Sequence, residues 1–213
     1  MSLLVIDTTG SECSVALRVA GRPDLCRTDV IGRGHAEYLA PMVAQMLEQA
    51  GVSPAQLTRI GVTTGPGSFA GSRVGVAFAR GLALATGAVA VGIGNLAVLA
   101  RSTGVTGPLV VLHDAKRGDV ILQVWSGQTV TPPERLPLPD VASRIEALAE
   151  PSGQLAGSGA ALVELVGWVD VGLTAITLPA LLDLAELADP GLSPPSPFYA
   201  RPPDAKLPGG LEP

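Results

Sequence analysis

Three short segments of the sequence carry residue types that could contact a phosphate group or its magnesium ion. Asp7 and Thr8 follow an apolar run, Asp114 follows a second apolar run, and Gly157 and Gly159 flank a serine. A carboxylate at the end of a strand can bind magnesium, and glycines let a nucleotide approach the backbone closely. Aspartate and glycine are also common turn residues, so each segment has a purely structural alternative.

A fourth segment, residues 63–75, contains a strand end, a glycine-rich turn and the predicted start of a helix. Free backbone N–H groups at such a helix start can hold an anion, and Ser68 is placed to cap the helix. The alternative is a tight turn without a ligand. The lysine of a phosphate-binding P-loop is missing from this segment, which excludes that class of nucleotide site.

The sequence offers no recognisable catalytic group. Only two histidines occur, His35 and His113, and they are far apart, so no histidine pair has the spacing of metal ligands. Neither Ser68, Ser158 nor Cys13 lies in the sequence context of an activated nucleophile. We therefore predict no metal and no cofactor.

The charge of the chain bears on its partners. The 213 residues carry a formal net charge of −5, and the longest run of basic residues is the pair Lys116 and Arg117. A protein that binds nucleic acid by itself needs a basic surface for the phosphates, so independent RNA binding is disfavoured. No apolar run reaches the roughly 20 residues that span a membrane, and the N-terminus has no features of a signal peptide, so we expect a cytoplasmic protein.

Apolar periodicity predicts alternating strands and helices, which is an α/β fold. Residues 109–114 repeat the pattern of residues 3–7, because each is a buried strand that ends in aspartate and precedes a second apolar strand. A duplicated unit suggests two lobes of related fold. We place them at residues 1–104 and 105–190, followed by a proline-rich tail at 191–213. The predicted strands are residues 3–7, 13–19, 25–30, 59–64, 88–92, 109–114, 120–125 and 155–156, and the predicted helices are 36–50, 69–86, 96–101, 140–150, 160–166 and 181–188.

Two of these helices carry patterns that indicate close packing. In the helix at residues 36–50, Leu39, Met42, Val43 and Met46 form an apolar stripe. In the next helix, small residues recur every four positions, among them Gly71, Gly75 and Ala79. Each interior glycine costs about 1 kcal/mol of helix stability, which close approach of another element could offset. That element is either a helix of the same chain or a helix of a partner.

The two cysteines are predicted to be unpaired. Cys13 and Cys26 fall in neighbouring strands, and pairing about the turn at residues 20–23 would set Cys13 opposite Val30 and Cys26 opposite Leu17. The thiols would then not face each other, so we expect two small buried thiols and no disulfide.

Several of these segments resemble the TsaB (YeaZ) family over nearly the whole chain. Residues 4–9 with 13–17 resemble the first hairpin of the family, residues 34–42 its first helix, and residues 65–75 with 80–83 its signature stretch. The similarity continues at residues 114–120, 157–159, 197–201 and 206–208. Ala70 and Ser72 depart from the family, which commonly has threonine and an apolar residue at these positions.

The resemblance implies an actin/Hsp70-like duplicated fold with two lobes, each a mixed sheet flanked by helices. It also implies a non-catalytic subunit that forms a heterodimer with the TsaD transferase, into which the TsaE ATPase is recruited, for threonylcarbamoylation of the tRNA adenosine beside the anticodon. TsaD-like chains carry paired metal histidines after the strand that follows the glycine-turn helix, whereas residues 92–100 contain none. The expected partner-facing residues are Leu39, Met42, Val43, Met46, Gly71, Arg73, Gly75 and Ala79.

Other interpretations remain open from the sequence. Without its partner, the same surface could pair two copies of the chain about a two-fold axis. The chain could also be an actin-like ATPase or kinase that binds magnesium between Asp7 and Asp114. A metal-dependent hydrolase or transferase is the third hypothesis, and it is weakened by the histidine count.

Overall fold

The computed structural model describes residues 1–199, which form two mixed sheets with helices packed on them. The strands of the first sheet are β1 Ser2–Asp7, β2 Glu12–Val19, β3 Leu25–Val30, β4 Arg59–Gly65 and β5 Val89–Gly94. Their order is β3-β2-β1-β4-β5. The first three strands are antiparallel, whereas β4 and β5 run parallel to β1.

The second sheet repeats this plan. Its strands are β6 Leu109–Lys116, β7 Asp119–Ser126, β8 Thr129–Val130, β9 Glu134–Pro137, β10 Gly153–Ala156 and β11 Trp168–Asp170, in the order β11-β10-β6-β7-β8, with β9 also on β7. Its first strand, β6, pairs antiparallel with β7 and parallel with β10, as β1 does with β2 and β4. This is the duplicated actin/Hsp70-like fold predicted from the sequence.

Two layers of helices enclose the first sheet. On one face lie α1 His35–Ala50 and α2 Phe69–Thr86, whose apolar side chains join those of β1, β2 and β4 in one core. On the other face lie α3 Asn95–Thr103 and α5 Leu178–Leu187. The sequence-based division assigned α5 to residues 105–190, yet this helix packs on the first sheet.

In the described part of the chain the second sheet has one helix of its own, α4 Val141–Leu148, which buries Val141 and Ile145 against it. The other face of the second sheet packs on Leu96 and Leu99 of α3. Helix α3 therefore contributes to the core of the first lobe and to the core between the lobes. The two sheets are held together by apolar side chains.

Most of the predicted elements are present within one to three residues of their expected bounds. The prediction of a helix at residues 160–166 was wrong, because only a single 3-10 turn, Ala160–Leu162, forms there. A serine and glycine turn precedes it and Gly167, with a φ of +82°, follows. The short strands β8, β9 and β11 were missed. The predicted tail is described only as far as residue 199, and residues 200–213 lie outside the described part of the chain.

The small residues of α2 face the first hairpin of the same chain. A Cβ atom at Gly71 would overlap the carbonyl oxygen of Thr8, and one at Gly75 would lie 2.5 Å from Thr8 Oγ1. Thr8 Oγ1 in turn donates a hydrogen bond of 2.7 Å to the carbonyl oxygen of Gly71. The element that approaches the glycine stripe is therefore the end of β1, and neither a neighbouring helix nor a partner is needed to explain the stripe.

Both cysteines are free thiols, as predicted, but the predicted register and environment need correction. Cys13 lies opposite Asp29, and Cys26 lies opposite Ala16, each one position away from the expected neighbour. Cys13 is buried, and this burial, with smaller contributions from nearby aspartates, raises its pKa to about 11. Cys26 is exposed on the edge strand β3, which contradicts the expectation of two buried thiols.

The contact of α2 with Thr8 predicts opposite effects for two glycine substitutions in one helix. Gly71→Ala forces the helix away from the Thr8 carbonyl and should lower the free energy of unfolding by about 1–3 kcal/mol. Gly81→Ala is the matched control, because a Cβ there meets no atom within 4 Å. It should raise stability by about 0.5–1 kcal/mol. Urea unfolding curves measure both, and equal effects would contradict the packing described.

The difference in burial predicts that a thiol reagent distinguishes the two cysteines. In the native protein a disulfide reagent should modify Cys26 alone, and Cys13 should react only after unfolding in denaturant. Absorbance of the released thiolate counts the reacted groups. Cys26→Ser is the control and should abolish the native reaction. Native modification of both thiols in the wild type would show that β2 is not buried as described.

Candidate functional site

A cleft of about 620 Å³ lies between the two lobes. The first hairpin, the glycine turn before α2 and the start of α3 form one wall, and β6 with the segment before α5 forms the other. Its polar lining includes Asp7, Thr9, Glu12, Asn95, His113 and Ser158. The nucleotide-binding hypothesis drawn from the sequence would put the ligand in this cleft.

The carboxylate of Asp7 is engaged within the protein. Its Oδ1 atom accepts hydrogen bonds from the Thr9 N–H at 3.0 Å, the Thr9 hydroxyl at 2.6 Å and the Thr63 hydroxyl at 2.6 Å. The Thr9 hydroxyl also accepts a bond from the Asn95 side chain. Asp7 therefore connects β1 to β4 directly and to α3 through the Thr9 hydroxyl. This is a structural role, which was the alternative to contact with a phosphate or magnesium.

The turn before α2 is closed by the same hairpin. The Ser68 N–H donates to the Thr9 carbonyl at 2.6 Å, and the Gly71 N–H donates to the Ser68 hydroxyl at 3.2 Å, so Ser68 caps the helix as predicted. A Cβ at Gly67 would lie 2.6 Å from the Thr9 carbonyl oxygen. Two of the N–H groups at the helix start that could have held an anion are thus already bonded within the chain.

The other nucleotide candidates do not line the cleft in the described part of the chain. Thr8 points to α2, and the carboxylate of Asp114 pairs with Lys116 at 2.6 Å. This pairing, through a side-chain and a backbone hydrogen bond, lowers the Asp114 pKa below its usual value. Gly157 and Gly159 pack against the Leu112 backbone, so their lack of a side chain is explained by strand contact.

The two histidines have separate environments. His35 is buried at the start of α1, where its Nε2 lies 3.1 Å from the Glu12 carbonyl oxygen. His113 lines the cleft, and burial lowers its pKa below the ordinary value. Within residues 1–199, no group of three or more histidine, cysteine or acidic side chains could hold a metal ion. Among the described residues that line the cleft there is no lysine or arginine.

Most of the residues expected to face a partner are buried in the first lobe. Leu39, Met42, Val43 and Met46 are at most 4% exposed and pack in the core beneath α1. Gly71, Gly75 and Ala79 are also buried, on the side of α2 that faces β1 and β4. Of the eight expected residues only Arg73 is exposed, so the periodicity identified the inner side of both helices and not the side that a partner could reach.

The exposed sides of α1 and α2 form a continuous surface, because both helices pack side by side on the same sheet face. Small and apolar residues dominate it, with acidic residues on α1 and basic residues on α2. We call this surface the outer helical face. It consists of Ala36, Glu37, Ala40, Pro41, Ala44 and Glu48 of α1 and Phe69, Ala70, Arg73, Ala77, Arg80, Gly81 and Leu84 of α2.

Two of these residues are unusually exposed for their type. Phe69 is 61% exposed and Leu84 is 89% exposed. Neither residue was predicted to face a partner, because the apolar period of each helix marks its buried side. The alanines at positions 36, 40 and 44, four residues apart on the polar side of α1, were the available signal for a second packing surface.

No helix in residues 1–199 is long and apolar enough to cross a membrane.

Comparison with known proteins connects this geometry to one family. The family described as TsaD, tRNA N6-adenosine threonylcarbamoyltransferase, matches residues 29–147, which is more than half of the chain. The chain is 35% identical over 124 residues to the tRNA threonylcarbamoyladenosine biosynthesis protein TsaB of Escherichia coli K12, a match that covers 56% of this chain and 53% of that protein. The chain spans about half the length of the curated relatives it matches.

Two solved structures from Pseudomonas aeruginosa share the whole fold. One is described as an uncharacterized protein with similarity to peptidase YEAZ, with a TM-score of 0.78 and 28% identity, and it covers 94% of this chain and 99% of its own. The other is YeaZ, with a TM-score of 0.74 and 28% identity, covering 93% and 99%.

The environment of His113 predicts how stability depends on pH. Its pKa is lowered in the folded chain, so below pH 6.5 the unfolded chain binds a proton that the folded chain does not. The free energy of unfolding should therefore fall as the pH drops from 6.5 to the folded pKa, by at most about 1.4 kcal/mol per pH unit. His113→Gln should flatten this part of the profile in urea unfolding. The same slope in both proteins would show that His113 is not responsible.

Proposed function

The chain belongs to the threonylcarbamoyltransferase (TsaD) family and, within it, to the TsaB (YeaZ) group, and on this premise we propose that it is a non-catalytic subunit in tRNA threonylcarbamoyladenosine biosynthesis. In this proposal it forms a heterodimer with a TsaD-type transferase and supports recruitment of a TsaE-type ATPase. The tRNA is bound by the assembled complex and not by this chain alone.

The outer helical face is the observation that carries the proposal. Its small side chains allow a second pair of helices to approach closely, and Phe69 and Leu84 supply apolar area at either end of α2. An exposed apolar surface of this kind is typical of a site for protein association. The buried residues that the sequence analysis expected at the interface, such as Leu39, Met42 and Gly75, instead pack α1 and α2 on the first sheet.

The charges on this face favour a partner of the same fold. Glu37 and Glu48 lie on α1, whereas Arg73 and Arg80 lie on α2, and none of the four forms an ion pair within residues 1–199. If the partner brings two equivalent helices about a two-fold axis, α1 of one chain lies over α2 of the other. The acidic and basic sides then face each other. The same argument permits a pair of identical chains when the transferase is absent.

The inter-lobe cleft supports a role without catalysis. The polar groups of its first wall bond to one another, with Asp7 and Asn95 joining β1, β4 and α3. A carboxylate that acts as a base or nucleophile needs a free oxygen, and Oδ1 of Asp7 is already engaged by two hydroxyl groups and one N–H group of its own chain. This arrangement stabilises the lobe and does not favour the ATPase or kinase hypothesis.

Replacing one alanine on the outer helical face and one alanine elsewhere tests the docking surface. Ala77→Glu places a long side chain in the middle of the outer helical face and should weaken the complex with the TsaD-type transferase of the same organism at least about tenfold, because the added atoms would hold the partner helices away from α2. Ala147→Glu makes the same change on the exposed side of α4 and should leave the affinity unchanged. Co-purification and calorimetric titration measure both. Equal binding by the two variants would remove this face from consideration.

Reconstitution tests the function itself. Threonylcarbamoyl transfer to tRNA should require this chain together with the transferase and the ATPase, and Ala77→Glu should reduce the yield while Ala147→Glu does not. Modification of tRNA by this chain alone would contradict a non-catalytic role.

A further inference from the structure

Three side chains form a compact cluster at the start of α2. The guanidinium carbon of Arg73 lies 3.7 Å from the centroid of the Phe69 ring and 5.5 Å from that of the Tyr199 ring. Arg73 Nε donates a hydrogen bond of 3.1 Å to the Tyr199 hydroxyl, and the two ring centroids are 5.8 Å apart. The guanidinium is therefore held in one orientation by a stack on one side and a hydrogen bond on the other.

Two distant parts of the chain build this cluster. Phe69 and Arg73 are four residues apart in α2, so they lie on the same side of the helix one turn apart. Tyr199 is delivered by the segment that follows α5, residues 189–199. That segment is fixed by backbone hydrogen bonds from the Gly92 N–H to the Ser193 carbonyl and from the Phe198 N–H to the Thr64 carbonyl. The Phe198 side chain packs in the core between the lobes.

The cluster is more exposed than its composition would suggest. Phe69 is 61% exposed and Tyr199 is 50% exposed. Within residues 1–199 the Arg73 guanidinium has no carboxylate partner, and its only hydrogen bond uses Nε. Its two terminal amino groups are thus oriented and available. An arginine that is stacked in a fixed orientation but unpaired within residues 1–199 is suited to bind an acidic group that lies outside this part of the chain.

We propose that Phe69, Arg73 and Tyr199 form a preassembled anchor on the outer helical face, in which Arg73 binds a carboxylate of the partner protein. The inference rests on the proposed function and adds a specific contact to it. Tyrosine, phenylalanine and arginine are enriched at the centres of protein interfaces, and an arginine already held in place loses little side-chain entropy on binding. The segment 189–199 is then part of the docking surface, because it supplies Tyr199.

The surroundings favour a carboxylate of a protein over a phosphate of RNA. Ala70 and Ala77 lie beside Arg73 on the exposed side of α2 and leave room for a partner helix. A partner of the same fold would bring the equivalent of α1 over this position, and in this chain that helix carries Glu37 and Glu48. The net charge of −5 opposes RNA at the same place.

Single substitutions separate the parts of the anchor. Arg73→Met keeps the apolar stem and removes the guanidinium, and it should weaken the complex with the TsaD-type transferase at least about tenfold. Arg73→Lys keeps the charge but loses the planar donor, and Tyr199→Phe keeps the ring but loses the acceptor, so both should have smaller effects of about two- to fivefold. Arg117→Met, at the exposed hairpin tip of the other lobe, is the control and should bind like the wild type.

Calorimetric titration at several salt concentrations gives the dissociation constants, and thermal unfolding confirms that each variant is folded. Arg73→Met should also weaken the salt dependence of binding, because an ion pair is lost. Wild-type affinity in Arg73→Met, with Ala77→Glu still defective, would overturn the anchor and leave the proposed docking face intact. Wild-type affinity in both variants would overturn the docking face as well. Unchanged assembly with reduced tRNA affinity of the complex would show that Arg73 holds a phosphate.

Discussion

The backbone of the first hairpin packs directly against Gly71 and Gly75 of α2. This contact determines which side of α2 is buried and which side is exposed. Gly67, Gly71 and Gly75 leave space for Thr8 and Thr9, whose carbonyl and hydroxyl groups bond to the helix start. Because the inner side of α2 is fixed in this way, its opposite side faces away from the sheet and is exposed in the chain by itself. The same contact closes the turn that could otherwise have bound an anion.

The sequence predicted the architecture better than it predicted the surfaces. Apolar runs and glycine turns located both sheets, because buried strands and helix ends impose strong local patterns. The same patterns do not identify a partner-facing surface, since periodic Leu39, Met42 and Gly75 mark what a helix buries and do not tell whether the covering element belongs to the same chain. The Arg73 and Tyr199 contact joins residues 126 positions apart in sequence, so no local pattern could reveal it.

The inter-lobe cleft and the outer helical face differ in how many of their polar groups form hydrogen bonds or ion pairs within the chain. In the cleft, Asp7 and Asn95 are bonded to hydroxyl and N–H groups of neighbouring elements. On the outer helical face, the charged groups of Glu37, Arg73 and Arg80 lack ion-pair partners among residues 1–199.

Helix α5 has a consequence for how the chain matures during translation. It covers the face of the first sheet that contains Leu3, Val5 and Val91, and Arg18 on β2 pairs with Asp183 and Glu186 of the helix. The ribosome must therefore synthesise the entire second lobe before the first lobe can cover that face. A nascent chain that stops short of residue 178 exposes a sheet of aliphatic side chains to chaperones and proteases. The first lobe is therefore begun first during synthesis but is completed only after the second lobe.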